Sequence, residues 1–261
     1  MLETKNIHYS IGSKKILKGI SLSFAPGLFH VVLGPNGSGK STFLKVFSGE
    51  LKPGQGNVLY DEEDILSMSK TAIAQRRSVM SQQADLQFPL SATEIIMMGR
   101  YPHFDYKPTT KDAEICNEVI RQMELADFLN RDFLTLSGGE KQRVQFGRAL
   151  AQIWETPALG CRYLFLDEPI NNLDIHYQHQ FLQLAKAFTT KQTVTIAILH
   201  DINLAIEYAD TITFLKAGSV VSHGVPQGTI TPQLIDEVFN IPVTVIEHPS
   251  SGNPLIFYNG K

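Results

Sequence analysis

The chain has 261 residues, 43% of them hydrophobic and 19% charged, with a formal net charge of −3. That length and balance predict a folded chain with a sizeable core and give no electrostatic case for nucleic acid as a partner. Cys116 and Cys161 lie far apart in no metal or redox spacing, which predicts two unpaired thiols.

In chain order, Ile20-Ser21-Leu22-Ser23-Phe24 alternates apolar and polar before Ala25-Pro26-Gly27, as a half-buried antiparallel strand ending in a turn does. Phe29 to Leu33 is an apolar run predicted as a buried strand. It leads directly into Gly34-Pro35-Asn36-Gly37-Ser38-Gly39-Lys40-Ser41-Thr42, the pattern G-x-x-x-x-G-K-[ST]. In such a loop Gly34, Gly37 and Gly39 let the backbone curl until successive N–H groups face phosphate oxygens. Lys40 adds a point charge for the β- and γ-phosphates, and the Ser41 hydroxyl is placed to ligate Mg²⁺. The helix predicted from Lys40 to Gly49 turns its positive end to the same phosphates. The chain is therefore expected to bind a nucleoside triphosphate with Mg²⁺.

Gly54-Gln55-Gly56 precedes a strand over Asn57 to Tyr60. From about Leu86 to Trp154 the period becomes helical, with helices expected over Thr93–Gly99, Asp112–Met123 and Glu140–Gln152. Tyr163 to Leu166 and Val194 to Leu199 are continuous apolar runs, as expected of parallel strands covered on both faces. Thr211 to Leu215 and Ser219 to Ser222 predict a hairpin around Ala217-Gly218. The tail offers one short helix near Pro232–Phe239 and little else. No stretch approaches the ~20 apolar residues of a membrane span, and the start lacks a basic-then-apolar leader. The chain is thus expected to be cytoplasmic and to meet a membrane only through a partner.

An NTPase also needs a carboxylate for the metal and a group to position water. Asp167 and Glu168 follow one buried strand, and adjacent residues at a strand end diverge, so one can reach the metal and the other the water. His200 follows the next buried strand, where its N–H is expected to bond the γ-phosphate. Leu136-Ser137-Gly138-Gly139-Glu140 supports two readings together. Ser137 with Glu140 is a capping box, and the glycines open the helix start to an anion. His176 and His179 sit at i, i+3, suited either to a solvated helix face or to a metal.

Taken together these residues resemble the ATP-binding subunit of an ABC transporter over essentially the whole chain. Leu136–Glu140 matches that family's signature, Gly34–Thr42 its Walker A motif and Tyr163–Glu168 its Walker B motif. The resemblance implies an α/β fold with a P-loop NTPase (RecA-like) core, an N-terminal antiparallel β subdomain and an inserted helical subdomain. The expected bounds are 1–85 with 162–225 for the core, 86–161 for the helical part and 226–261 for a C-terminal extension. It implies Glu168 as catalytic base, His200 as switch histidine and Asp167 as metal ligand. Gln82 falls on a loop glutamine that senses Mg²⁺ and touches the permease, Asp174 on the D-loop, and Tyr9 on the adenine-stacking aromatic. It further implies a head-to-tail homodimer holding two ATPs, with Ser137, Gly138, Gly139 and Glu140 of one copy facing the ATP of the other.

The implied partners are a permease dimer in the cell membrane and a substrate-binding protein, with this chain peripheral on the cytoplasmic face. Three positions depart from the family. Ile170 stands where Thr is common, and Asn171-Asn172 where Ser-Ala is common; none is a position given a main catalytic group, so activity is expected to survive. Phe88-Pro89-Leu90-Ser91 through Gly99-Arg100-Tyr101-Pro102 resembles importers of iron chelates, cobalamin and haem. Arg77–Gln82, Asp85–Pro89 and the extended Trp154–Arg162 segment are most similar to haemin importer ATPases. The cargo would pass through the permease, so no haem ligand is expected here. The alternatives are a siderophore or cobalamin importer ATPase, a non-transport ABC ATPase, and a small-molecule kinase that would have no use for Leu136–Glu140.

Overall fold

A computed structural model describes residues 1–81, 89–158, 160–171 and 173–259. The chain opens with β1 (Leu2–Ile11), β2 (Lys14–Phe24) and β3 (Phe29–Leu33), then α1 (Lys40–Phe47), β4 (Gln55–Tyr60) and β5 (Glu63–Asp64). α2 (Lys70–Arg76) and β6 (Arg77–Met80) precede the helices α3 (Ala92–Met98), α4 (Thr110–Gln122) and α5 (Gly138–Gln152). The chain then returns through β7 (Arg162–Asp167), α6 (Ile175–Phe188), β8 (Thr193–Ile198) and α7 (Ile202–Tyr208). β9 (Thr211–Lys216), β10 (Ser219–Gly224), α8 (Pro226–Thr229), α9 (Pro232–Phe239), β11 (Val243–Glu247) and β12 (Pro254–Tyr258) complete it.

The predicted buried strands β3, β7 and β8 are buried at every residue and lie together in a six-stranded sheet of order β10-β9-β3-β8-β7-β6. Alternate residues of each strand enter different cores. Val32, Phe165 and Ile198 face α1 and the antiparallel sheet β2-β1-β4-β5, whereas Val31, Leu166 and Ala197 face the main core with α5, α6 and α7. Two covered faces explain the unbroken apolar runs. β10 pairs antiparallel with β9, as the hairpin pattern predicted, while β9 runs parallel to β3.

Register decides where function can sit. Val32 pairs with Ile198, and Ile198 pairs with Asp167. Gly34, His200 and Glu168 therefore leave three adjacent strands at one level, on the carboxyl edge where open α/β sheets bind ligands.

The helical region has its own locks. α3, α4 and α5 each open with a complete capping box, Ser91/Glu94, Thr109/Asp112 and Ser137/Glu140. Gly99 is needed where α3 crosses α5, since a Cβ there would lie 2.2 Å from the Arg148 carbonyl oxygen. Beyond the tail helix seen in the sequence, β11 and β12 form a hairpin that Asn203 of α7 grips twice. It donates to the Ile256 carbonyl at 3.1 Å and accepts from the Ile256 N–H at 2.9 Å.

His30 sits 1% exposed within β3, its Nε2–H donating to the Ala25 carbonyl at 2.8 Å and its Nδ1 accepting from Thr211 at 2.7 Å. Burial lowers its pKa from 6.5 to about 4. Below pH 6.5 the unfolded chain takes up a proton that the native state refuses, so stability falls with pH by about 2 kcal/mol at pH 5 and about 3 by pH 4. Urea midpoints at pH 7 and 5 check this: His30→Gln is expected to lower the midpoint at pH 7 but flatten its fall on acidification.

Candidate functional site

The phosphate loop is shaped by neighbours before any ligand arrives. A Cβ at Gly34 would sit 2.1 Å from the Leu215 carbonyl oxygen, so β9 excludes any larger residue there. Gly37 is left-handed at φ +75, with the turn closed by Ser38 N–H donating to Pro35 O at 3.2 Å. Gly218 N–H donates to Ser38 O at 2.9 Å, tying the loop to the β9–β10 hairpin. Asn36 and Gly37 are exposed, and Thr42 lies half-buried in the first turn of α1. The Ser38 hydroxyl is buried with no partner among the described residues, an orphan polar atom inside the loop.

Lys40 turns its ammonium back into this loop, donating to the carbonyls of Gly34 at 2.8 Å and Pro35 at 3.2 Å. Burial lowers its pKa, against the opposing charges of Glu168 and Asp167. Ser41 donates to Asp167 Oδ1 at 3.3 Å across the gap between α1 and β7. Burial and the neighbouring Glu168 charge raise the Asp167 pKa, while Ser41, Lys45 and Lys40 pull the other way.

Glu168 follows with φ +52, a left-handed backbone rare for a residue with a Cβ, costing on the order of 1–3 kcal/mol. Its Oε1 lies 2.6 Å from His200 Nε2, and its Oε2 accepts from the Asn171 amide. In this geometry the histidine expected at the phosphate is held on the carboxylate. Beside Asp167 and Glu168 opens a cavity of about 150 Å³, bounded by Met80, Ser81, Phe133 and Gln145. Both side-chain amide atoms of Gln145 are buried and have no partner among the described residues, leaving a donor and an acceptor for an ordered water.

The other predicted residues are more dispersed. Ser137 closes its capping box, its N–H donating to Glu140 Oε2 at 2.7 Å and its hydroxyl accepting from Glu140 N–H at 3.3 Å. A Cβ added at Gly138 would meet nothing within 4 Å, and at Gly139 nothing nearer than 3.8 Å, so this chain's own packing demands neither glycine. Asp174 caps α6 through Tyr177 N–H at 3.1 Å. Tyr9 is half-buried at the edge of the second core, lining a cleft with Lys15, Lys52 and Gln55 rather than the phosphate loop. Gln82 lies outside the described residues. His179 bonds the Tyr208 hydroxyl at 2.7 Å, and Cys116 and Cys161 are buried free thiols.

Residues 17–171, spanning the phosphate loop, both carboxylates and the capped start of α5, match the ABC transporter family. The chain belongs to that family. This ABC protein is 41% identical over 256 residues to the hemin import ATP-binding protein HmuV of Pseudomonas fluorescens strain Pf-5, covering 98% of this chain and 99% of that one. Its structure is similar to the inward-facing conformation of a transporter assigned to the metal-chelate ABC type, with a TM-score of 0.82 at 22% identity over 99% of this chain and 96% of the other. It is also similar to the dimeric post-hydrolysis state of the ATP-binding cassette MJ0796 bound to ADP and Pi. There the TM-score is 0.73 at 27% identity, over 86% of this chain and 98% of the other.

The expected α/β P-loop NTPase fold is thus the fold of this ABC protein, and the chain is an ATPase coupled to transport. ATP binding in the family implies a divalent metal. The donor set fits one. Ser41 and Asp167 present hard oxygen atoms in mutual contact, and burial and the neighbouring Glu168 charge raise the Asp167 pKa. Among the described residues no group of three or more His, Cys, Asp or Glu side chains could hold a metal ion.

Sequence reasoning missed two groups that the fold brings to bear. Asn171 was noted as a departure with no role, and only three-dimensional folding shows its amide on Glu168. Arg100 lay within a quoted motif, but its partners Asp112, Ala151 and Glu155 are 12 to 55 residues away.

Proposed function

We propose that the chain is the ATPase of a haemin importer, working as a homodimer that holds two ATPs with Mg²⁺ on the cytoplasmic face of the cell membrane. The observation that carries the chemistry is the level edge of β3, β8 and β7. It gathers Lys40, Ser41, Asp167, Glu168 and His200 at the end of one sheet. Haemin as cargo rests on the near full-length similarity to a hemin import ATP-binding protein.

In this reading residues 34–42 wrap the phosphates. Lys40 exchanges its two loop carbonyls for phosphate oxygens. Ser41, Asp167 and Gln82 would hold Mg²⁺, which when bound would offset charge on the phosphate oxygens. Glu168 takes the proton of the attacking water, ADP leaves in line, and His200 turns from Glu168 to the γ-phosphate. Tyr9 packs on the adenine. Asp174 and the capped, unobstructed start of α5 (Ser137, Gly138, Gly139 and Glu140) serve the partner copy's ATP. Gly138 and Gly139 support this: they leave room that no described residue of their own chain fills. The helical region 86–161 forms one subdomain, 1–85 with 162–225 the core, and 226–261 an extension.

No helix among the described residues is long and apolar enough to cross a membrane. In this reading the partners are a permease dimer and a substrate-binding protein, and the cargo passes through the permease without touching this chain. Gly138→Leu is expected to leave the melting temperature unchanged while lowering hydrolysis by about tenfold or more through obstruction of the second copy. Calorimetry and an ATPase assay check it. The cargo is tested by copurifying the permease and measuring hydrolysis with binding protein loaded with haemin, a ferric siderophore or cobalamin. Stimulation by haemin alone is expected, and stimulation by siderophore alone would overturn the haemin assignment.

A further inference from the structure

Glu168-Pro169-Ile170-Asn171 is a tight turn, closed by the Asn171 N–H donating to the Glu168 carbonyl at 3.3 Å. Proline at its second position is the residue such turns favour. Ile170 is 5% exposed and packs into the main core, so the turn is anchored from beneath. The anchored turn swings the Asn171 side chain back over the residue that opened it, and its amide reaches Glu168 Oε2. A carboxylate can only accept, so Asn171 presents its NH₂ group and His200 its Nε2–H, one donor to each oxygen. Ile170 and Asn171 are two of the three departures from the family pattern, and the turn gives both a common purpose.

We propose that Asn171 is a positioning residue for ATP hydrolysis, holding Glu168 Oε2 so that Oε1 is presented to water once His200 moves to phosphate. The inference rests on Glu168 being the base. A carboxylate on a left-handed backbone, held among the described residues by these two donors, would lose part of its orientation when one of them leaves. Asn171 is the donor that stays, because it is built into the same turn. A hydrogen bond to an ionised acceptor is about twice as strong as a neutral one, enough to fix one rotamer. The serine common at this place carries its donor one bond closer to the backbone, and its hydroxyl can accept as well as donate. The amide reaches further and only donates with its NH₂.

The test compares Asn171→Ala, Asn171→Ser and Asn171→Asp in the full chain, and Asn171→Ala again within Glu168→Gln. Measured are kcat, KM for ATP, affinity for a fluorescent ATP analogue and melting temperature. Asn171→Ala is expected to lower kcat about tenfold or more with KM and nucleotide affinity unchanged, since it disturbs geometry only after binding. Asn171→Asp, equal in size but repelling Glu168, should fall at least as far, while Asn171→Ser should keep more activity than Asn171→Ala. In Glu168→Gln, adding Asn171→Ala should cost nothing further. A kcat for Asn171→Ala and Asn171→Asp within about twofold of the unaltered chain, or a rise, overturns the positioning role. So does an equal loss on top of Glu168→Gln. Should Asn171→Ala melt early, Asn171→Asp decides the matter on the same criteria. Glu168→Gln hydrolysing ATP at the full rate would instead overturn the base assignment, a result separate from any behaviour of Asn171.

Discussion

Glu168→Gln is expected to bind ATP as before and to hydrolyse it on the order of 10²–10⁴-fold more slowly, the usual contribution of a positioned general base. The substitution keeps the size and rotamers of the side chain, and it removes the ability to take a proton together with one of the two acceptor oxygens. The His200 contact survives with the amide oxygen accepting, and a flipped Asn171 amide can accept from the new NH₂, so the edge of the sheet need not rearrange. Lys40, Ser41 and Asp167 are untouched, which is why nucleotide affinity is expected to hold. Single-turnover kinetics separate the two steps: a normal binding phase followed by a slow chemical phase is the expected trace. Loss of binding together with hydrolysis would mean that Glu168 supports the loop rather than the water.

Arg100→Met is expected to destabilise the chain by about 3–5 kcal/mol, the cost of stranding a buried charge. Arg100 is 1% exposed and uses three nitrogens at once. Nε donates to Asp112 at 2.9 Å, Nη1 to the Ala151 carbonyl at 2.8 Å and Nη2 to Glu155 at 2.7 Å. Asp112 is also the capping-box acid of α4, accepting from Thr109 N–H at 2.9 Å. One side chain thus joins the end of α3, the start of α4 and the end of α5. At this chain length the loss would lower the melting temperature on the order of 10 °C. Arg100→Met with Asp112→Asn should recover part of it, because the amide keeps the cap and carries no charge. Thermal unfolding of the two variants checks this. Equal melting temperatures for Arg100→Met and the unaltered chain would leave the network without energetic weight.

The legible parts of this protein were those whose signal is local. The largely apolar run from Phe29 to Leu33 followed by a glycine-rich loop reads as a strand feeding a phosphate site, and Asp167-Glu168 after β7 reads in the same way. The Ser137/Glu140 box needs only a spacing of three. What stayed hidden depends on contacts distant in sequence or on backbone strain. Nothing in the tail announces β11 and β12, since their loop lacks an Asn-Gly or Asp-Gly turn and Pro254 opens the second strand. Their stability comes from Asn203, about fifty residues earlier. Arg100 read as one basic residue in a motif, although burial makes it the tie of the helical region. Glu168 was legible as an acid but not as a left-handed residue gripped from both sides.

The central claim is that residues 34–42 form half of a site whose other half lies in a second copy. Sedimentation velocity of Glu168→Gln, with bound nucleotide counted, tests it most directly. The account predicts monomer without nucleotide and, with ATP and Mg²⁺, a dimer retaining one ATP per chain. A chain that stays monomeric with ATP bound, while the unaltered protein hydrolyses at a rate per chain independent of concentration, would contradict it.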